Sequence, residues 1–113
     1  MQNLFFNCSK LKSLDLSSFD TSLVTDMSYM FSYDFSLTQL DLSSFDTSSV
    51  KRMEYMFINC TGLTSLNLIS FNTLICSSFR YMFWGCNEIN VTINKENNPN
   101  LISSAPENIH FIP

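Results

Sequence analysis

Apolar residues recur along this chain at a fixed interval. Phe5, Phe31, Phe57 and Phe83 stand 26 residues apart. Leu11, Leu37 and Leu63 keep that interval, as do Leu14, Leu40 and Leu66, and then Leu16, Leu42 and Leu68. Phe19, Phe45 and Phe71 follow, then Thr21, Thr47 and Thr73. The segment Leu-Asp-Leu-Ser-Ser-Phe-Asp-Thr-Ser occupies 14–22 and again 40–48, and drifts to Leu66-Asn67-Leu68-Ile69-Ser70-Phe71-Asn72-Thr73-Leu74 in its third copy. So many positions in one unbroken interval predict a repeat architecture.

Each unit divides into two halves. In the first, the alternation Leu14-Asp15-Leu16 has the period of a short strand with one buried face. In the second, Val24, Met27, Met30 and Phe31 recur at three- and four-residue steps, which predicts a helical turn or two with one apolar stripe. An irregular or 3₁₀-like path is the alternative. Asp20-Thr21-Ser22 and Asp46-Thr47-Ser48 stand just ahead of the second half, and such side chains accept from free backbone N–H groups at turns and caps. One unit cannot bury its own apolar face. Stacked units do so, each Leu or Phe lying on its equivalent in the next. The expectation is an α/β chain coiled into a right-handed solenoid. Parallel strands would line its concave face, and short helices or helical turns its wider convex face.

The pattern Leu-x-x-Leu-Asp-Leu-Ser-Ser-Phe-Asp-Thr-Ser, followed by Val-x-x-Met-x-x-Met-Phe-x-x-Cys, resembles the BspA-like leucine-rich repeats of bacterial surface proteins, also described as a domain of unknown function in mycoplasma lipoproteins. The resemblance runs from residue 4 to about 93. This chain departs from it where Asp34 stands in the place of Cys8, Cys60 and Cys86, where Asn67 and Asn72 replace Asp15 and Asp20, and where a residue is lost at Ile89-Asn90-Val91-Thr92-Ile93. The resemblance implies a leucine-rich-repeat-like solenoid, display at the cell surface or secretion, and adhesion. It implies no catalytic residue and no cofactor.

The repeat region is expected over 1–93, as a partial unit at about 1–10, units 11–36, 37–62 and 63–88, and a partial unit at 89–93. Residues 94–113, punctuated by Pro99, Pro106 and Pro113, read as a polar C-terminal cap that covers the last turn and blocks edge pairing. The chain begins in mid-unit, which predicts an upstream segment or an end closed by another copy.

Composition narrows the chemistry. Charged residues make up 14% and the net charge is −4, so nothing resembles a basic footprint for nucleic acid. No apolar run approaches the roughly 20 residues of a membrane span, and the N-terminus lacks the form of a signal peptide. Cys60 and Cys86 share one repeat position, but parallel side chains give poor disulfide geometry, so buried reduced thiols are expected. Cys76 takes the place of Val24 and Val50 as a small core residue. The thiol spacing fits no zinc pattern. Carboxylates one turn apart supply too few oxygens for Ca²⁺. Asp20, Asp46 and Asn72 read as turn residues. Tyr29, Tyr55 and Tyr81 read as an aromatic row that either stacks along the repeat or contacts a partner. His110 is the only histidine and is read as an inert tail residue, so no Ser-His-Asp set exists.

The candidate binding face is therefore the exposed side of the strands: Ser13, Asp15, Ser17, Gln39, Asp41, Ser43, Ser65, Asn67 and Ile69. The alternative for these residues is a solvated face whose Asp/Asn column holds adjacent turns. The expected function is a non-enzymatic protein–protein interaction or adhesion module at the cell surface. Its partner would be a protein on the host or another cell, with end-to-end self-association also in view. The rivals are a structural spacer without a ligand and an intracellular interaction protein.

Overall fold

A computed structural model describes residues 16–112. Four short strands, β1 (Gln39–Asp41), β2 (Ser65–Leu68), β3 (Ile89–Ile93) and β4 (Ile109–Ile112), form one parallel sheet in chain order. One helix, α1 (Pro99–Ser104), lies between β3 and β4. The pairing register follows the sequence interval. Leu40 lies opposite Leu66, and Leu66 opposite Val91, one residue short of the period, where the sequence drops a residue. Leu40, Leu66 and Val91 point inward and are buried, while Gln39, Ser65 and Asn90 beside them are exposed. This is the period-two pattern of a sheet with one covered face.

Each strand ends at a corner. The N–H groups of Phe19, Phe45 and Phe71 return to the carbonyls of Leu16, Leu42 and Leu68 at 3.1, 3.0 and 2.9 Å. Next comes a buried threonine. The Thr21 hydroxyl donates to the Asp46 carbonyl at 3.0 Å and accepts the Asp46 N–H at 2.9 Å. Thr47 does the same with Asn72 at the same two distances. Each hydroxyl thus satisfies two backbone groups of the next unit that would otherwise lose their partners.

The second half of each unit is not helical, contrary to the expectation from its three- and four-residue spacing. Alternate N–H groups leave the unit and donate to the next one. Met27, Tyr29, Phe31 and Tyr33 donate to Arg52, Glu54, Met56 and Ile58 at 3.0, 3.0, 3.0 and 2.9 Å. Local turns, such as Met30 N–H to Met27 C=O at 3.3 Å, bend the path between these bonds. Two residues per unit sit in the left-handed region. One position is Tyr29, Tyr55 and Tyr81, with φ of 61°, 59° and 56°. The other is Tyr33, Asn59 and Gly85, with φ of 63°, 58° and 81°. A left-handed residue ends a right-handed helix, so two per half-unit forbid one. The three- and four-residue steps arise instead from successive turns that bring Met27, Met30 and Phe31 to the same buried side.

The core is one column of stacked equivalents. The Phe31 and Phe57 rings lie 5.6 Å apart, as do Phe57 and Phe83, with interplanar angles of 3° and 10°. Leu, Met and Phe side chains of the described units complete it.

The C-terminal segment both closes and extends this arrangement. Leu101 of α1 is buried against the core. Asn98 is buried too; its amide donates to the Phe71 and Asn94 carbonyls at 2.8 and 2.7 Å, and its oxygen accepts from the Thr73 hydroxyl at 2.8 Å. That bond terminates the threonine column. The polar tail also supplies β4, which pairs with the outer edge of β3. The alternation of buried Ile109 and half-buried Phe111 makes it a strand, and Ile109 pairs opposite Ile89. Among the described residues no helix is long and apolar enough to cross a membrane.

Candidate functional site

The outward side of the sheet is built from rows that cross the strands. Gln39, Ser65, Asn90 and His110 occupy one row as consecutive Cα partners, and Asp41, Asn67, Thr92 and Ile112 the next. Parallel pairing in register sets this geometry, because equivalent residues of neighbouring strands lie side by side roughly 4.8 Å apart. Gln39, Asp41 and Ser65 are exposed and Asn67 is half-buried. Ser17, Ser43 and Ile69 are exposed and lie in the turns that follow the strand positions. Ser13 and Asp15 lie outside the described residues.

The acidic and amide residues of this face also shape the chain. A carboxylate oxygen of Asp41 accepts the Ser43 N–H at 2.9 Å, and the Asn67 amide oxygen accepts the Ile69 N–H at 3.0 Å. These are Asx turns that start the corner after each strand. The Ser43 side chain, then its N–H, hold the Asp41 carboxyl below its ordinary range. Asp20 and Asp46 do the same for Ser22 and Ser48, with N–H distances of 3.0 and 2.9 Å, and Asn72 for Leu74 at 3.1 Å.

The face reaches further than the sequence reading allowed. Asn90 and Thr92 of β3 and His110 and Ile112 of β4 continue its rows. His110 was expected in a tail away from any repeat. It lies instead beside Asn90, with its ring hydrogen-bonded to the Glu88 carboxylate. The signal was present in the apolar alternation of Ile109 and Phe111. Chemically the described face offers hydroxyls and amides in rows, with the Asp41 carboxylate and the His110 imidazole among them, suited to hydrogen-bonded recognition.

The thiols are elsewhere. Cys60 and Cys86 are free and turned inward, and their sulfurs donate to the carbonyls of Phe31 and Phe57 at 3.0 Å. Burial pushes them up to about 12 and about 11, leaving them protonated at neutral pH. Cys76 is buried at its core position, and Cys8 lies outside the described residues. Asp34, at the cysteine position of its unit, is also buried. Among the described residues no three His, Cys, Asp or Glu side chains gather as a metal site.

The tyrosine row does stack. Tyr29 and Tyr55 lie 4.7 Å apart with an interplanar angle of 7°, and Tyr55 and Tyr81 5.3 Å apart at 40°. The row ends at Tyr81 and Trp84, whose rings meet edge to face at 6.0 Å.

No curated protein and no solved structure matches the chain significantly. One family profile does, over residues 1–107, and its description is a mycoplasma protein of unknown function. The match takes in every repeat, α1 and the turn before β4, so the chain belongs to the DUF285 family of mycoplasma proteins of unknown function.

Proposed function

We propose that this chain is a non-enzymatic interaction module, a leucine-rich-type solenoid of the BspA-like kind that is displayed at the cell surface and mediates adhesion through the outward face of its sheet. The observation that carries the reading is the in-register row Gln39, Ser65, Asn90 and His110, exposed on four consecutive strands and held by a packed core. A rigid array of polar groups loses little entropy when a partner docks, which is how stacked repeats gain affinity from modest contacts. The repeat motif supports the same reading through its resemblance to bacterial surface-protein repeats, and membership of a mycoplasma family is compatible with it.

Protease shaving of intact source cells tests display. Peptides from residues 16–90 should be released while cytoplasmic markers stay whole. Attachment tests the face: soluble chain should compete with source cells for host-cell monolayers, and the Gln39→Ala/Ser65→Ala/Asn90→Ala variant should compete poorly at an unchanged melting temperature. Release of the peptides only after lysis would end the adhesion reading in favour of an intracellular interaction role. Equal competition by the variant would remove this face from it.

A further inference from the structure

The turn-rich half of each unit forms four continuous columns of peptide groups. Met27 N–H donates to Arg52 C=O and Met53 N–H to Ser78 C=O, both at 3.0 Å. The columns beside it run Tyr29–Glu54 and Tyr55–Arg80, Phe31–Met56 and Phe57–Met82, and Tyr33–Ile58 and Asn59–Trp84, at 2.8–3.0 Å. In every bond the earlier unit donates and the later one accepts. Within each unit the neighbouring carbonyls are used up locally, as Met30 N–H takes that of Met27. The peptide dipoles of these four columns therefore align along the stack, as they do along a helix, and their forward end carries donors only. The column beside them runs the other way, Lys51 N–H to Thr25 C=O at 2.8 Å and Ser77 N–H to Lys51 C=O at 2.9 Å.

That end is at 79–85. The N–H groups of Phe79, Tyr81, Phe83 and Gly85 hold the position of those columns, yet none donates to a carbonyl among the described residues. The carbonyls of Phe79, Tyr81 and Phe83 accept from Met82, Trp84 and Cys86. The next stretch of chain, which the repeat would bring onto this edge, instead forms the end of α1 and then β4 on the sheet. Two depressions lie between the edge and α1. One, of about 220 Å³, is walled by Phe79, Met82, Phe83, Trp84, Ala105 and Pro106. The other, of about 490 Å³, is lined by serines, Asn100 and Arg80. They share Phe79, Tyr81 and Ser104, so they form one groove with an apolar part and a cationic part.

We propose that this groove is a docking edge for a polypeptide segment of another protein, one that follows the same turn-rich path as 78–84, carries an apolar side chain and an acidic side chain, and pairs parallel to 79–85. The ladder itself shows what fits: the identical donor row at Met53, Tyr55, Phe57 and Asn59 is filled by carbonyls of a parallel segment. The apolar part takes the apolar side chain. Arg80, which is exposed and stacked 5.0 Å over Tyr81, meets the acidic one. This surface is separate from the sheet face proposed above, and either assignment can fail without the other.

The probe is a synthetic peptide of residues 48–59, which carries Val50, Met53 and Glu54 and has no tryptophan. Trp84 is the chain's only tryptophan and lines the groove, so its emission reports occupancy. Residue-resolved amide exchange on the whole chain gives the decisive readout. Without peptide, the amides of Phe79, Tyr81, Phe83 and Gly85 should exchange fast while those of Met53, Tyr55, Phe57 and Asn59 are protected. With saturating peptide, the four edge amides should slow by about tenfold or more and Trp84 emission should shift to the blue. A scrambled peptide should do neither. The proposal is overturned if the peptide leaves those amides unchanged or the scrambled peptide protects them equally. It is overturned in favour of a simple anion site if inorganic phosphate alone protects them. Protection that rises with protein concentration alone would assign the edge to a second copy and overturn it as well.

Discussion

Replacing Thr47 by valine removes one oxygen and changes little else in shape, which makes it a direct probe of how the units are tied together. The Thr47 hydroxyl donates to Asn72 C=O at 3.0 Å and accepts Asn72 N–H at 2.9 Å. Thr47 is fully buried, so the space left by the oxygen is not open to solvent. Stranding a buried backbone donor or acceptor costs about 1–3 kcal/mol each. Two such groups give about 4 kcal/mol, offset by about 1 kcal/mol for the added methyl. The net loss for Thr47→Val is about 3 kcal/mol. Thr47→Ser keeps the hydroxyl and loses only a buried methyl, about 1 kcal/mol. At about 4–8 °C per kcal/mol for a domain of this size, the valine variant should melt roughly 12 °C or more below the parent, and the serine variant only several degrees below. Urea denaturation of the three proteins, with fitted m-values, checks the order. If valine is as stable as serine or more so, hydrophobic stacking alone holds the units and the hydroxyl column is incidental.

Three more outcomes follow from the same geometry. Gly85→Ala places a Cβ 1.8 Å from the Asn59 side-chain oxygen on a residue at φ 81°, so it should destabilise by about 1–3 kcal/mol in thermal denaturation; an unchanged melting temperature would contradict that packing. Hydrogen bonds to Ser22 and Ser48 depress the Asp20 and Asp46 carboxyls, so their contribution is present above the ordinary aspartate range near pH 4 and is lost as pH falls through the lower folded values. Melting temperature should therefore fall more steeply below about pH 4 in the parent than in Asp20→Asn/Asp46→Asn, whose amides keep the turn as Asn72 does; equal slopes would refute the assignment. At pH 8, Cys60 and Cys86 should resist a thiol reagent in the folded chain and react at once in denaturant, with peptide mapping as the readout; rapid labelling of either in the folded state would show that its thiol is not held against Phe31 or Phe57.

The strand half of each unit was legible in the sequence because leucine alternation has one physical cause, a sheet with one covered face. The parallel register followed from the interval, including the lost residue before Val91. The other half misled because Val24, Met27, Met30 and Phe31 reach one side equally well by a helix or by successive turns. What separates the two is backbone sign. Tyrosine is no marker of the left-handed region, so Tyr29, Tyr55 and Tyr81 gave no warning. The position held by Tyr33, Asn59 and Gly85 did carry one, since asparagine and glycine are the residues that tolerate positive φ. Of the residues expected on the strand face, Gln39, Asp41, Ser65 and Asn67 lie on strands, while Ser17, Ser43 and Ile69 lie in turns. Their turn-forming hydrogen bonds were hidden, because an exposed Asp41 reads alike as a contact or as an Asx turn. His110 was missed because the interval shortens between β3 and β4, which breaks the periodicity that revealed the other strands.

Through-hydrogen-bond NMR couplings test the unit-to-unit ladder most directly, since they name donor and acceptor for each amide. The account predicts couplings from the amide nitrogens of Met53, Tyr55 and Phe57 to the carbonyl carbons of Ser78, Arg80 and Met82. Couplings from those amides to carbonyls four residues earlier in the chain would restore the helix, and would remove the aligned columns and the open edge that depends on them.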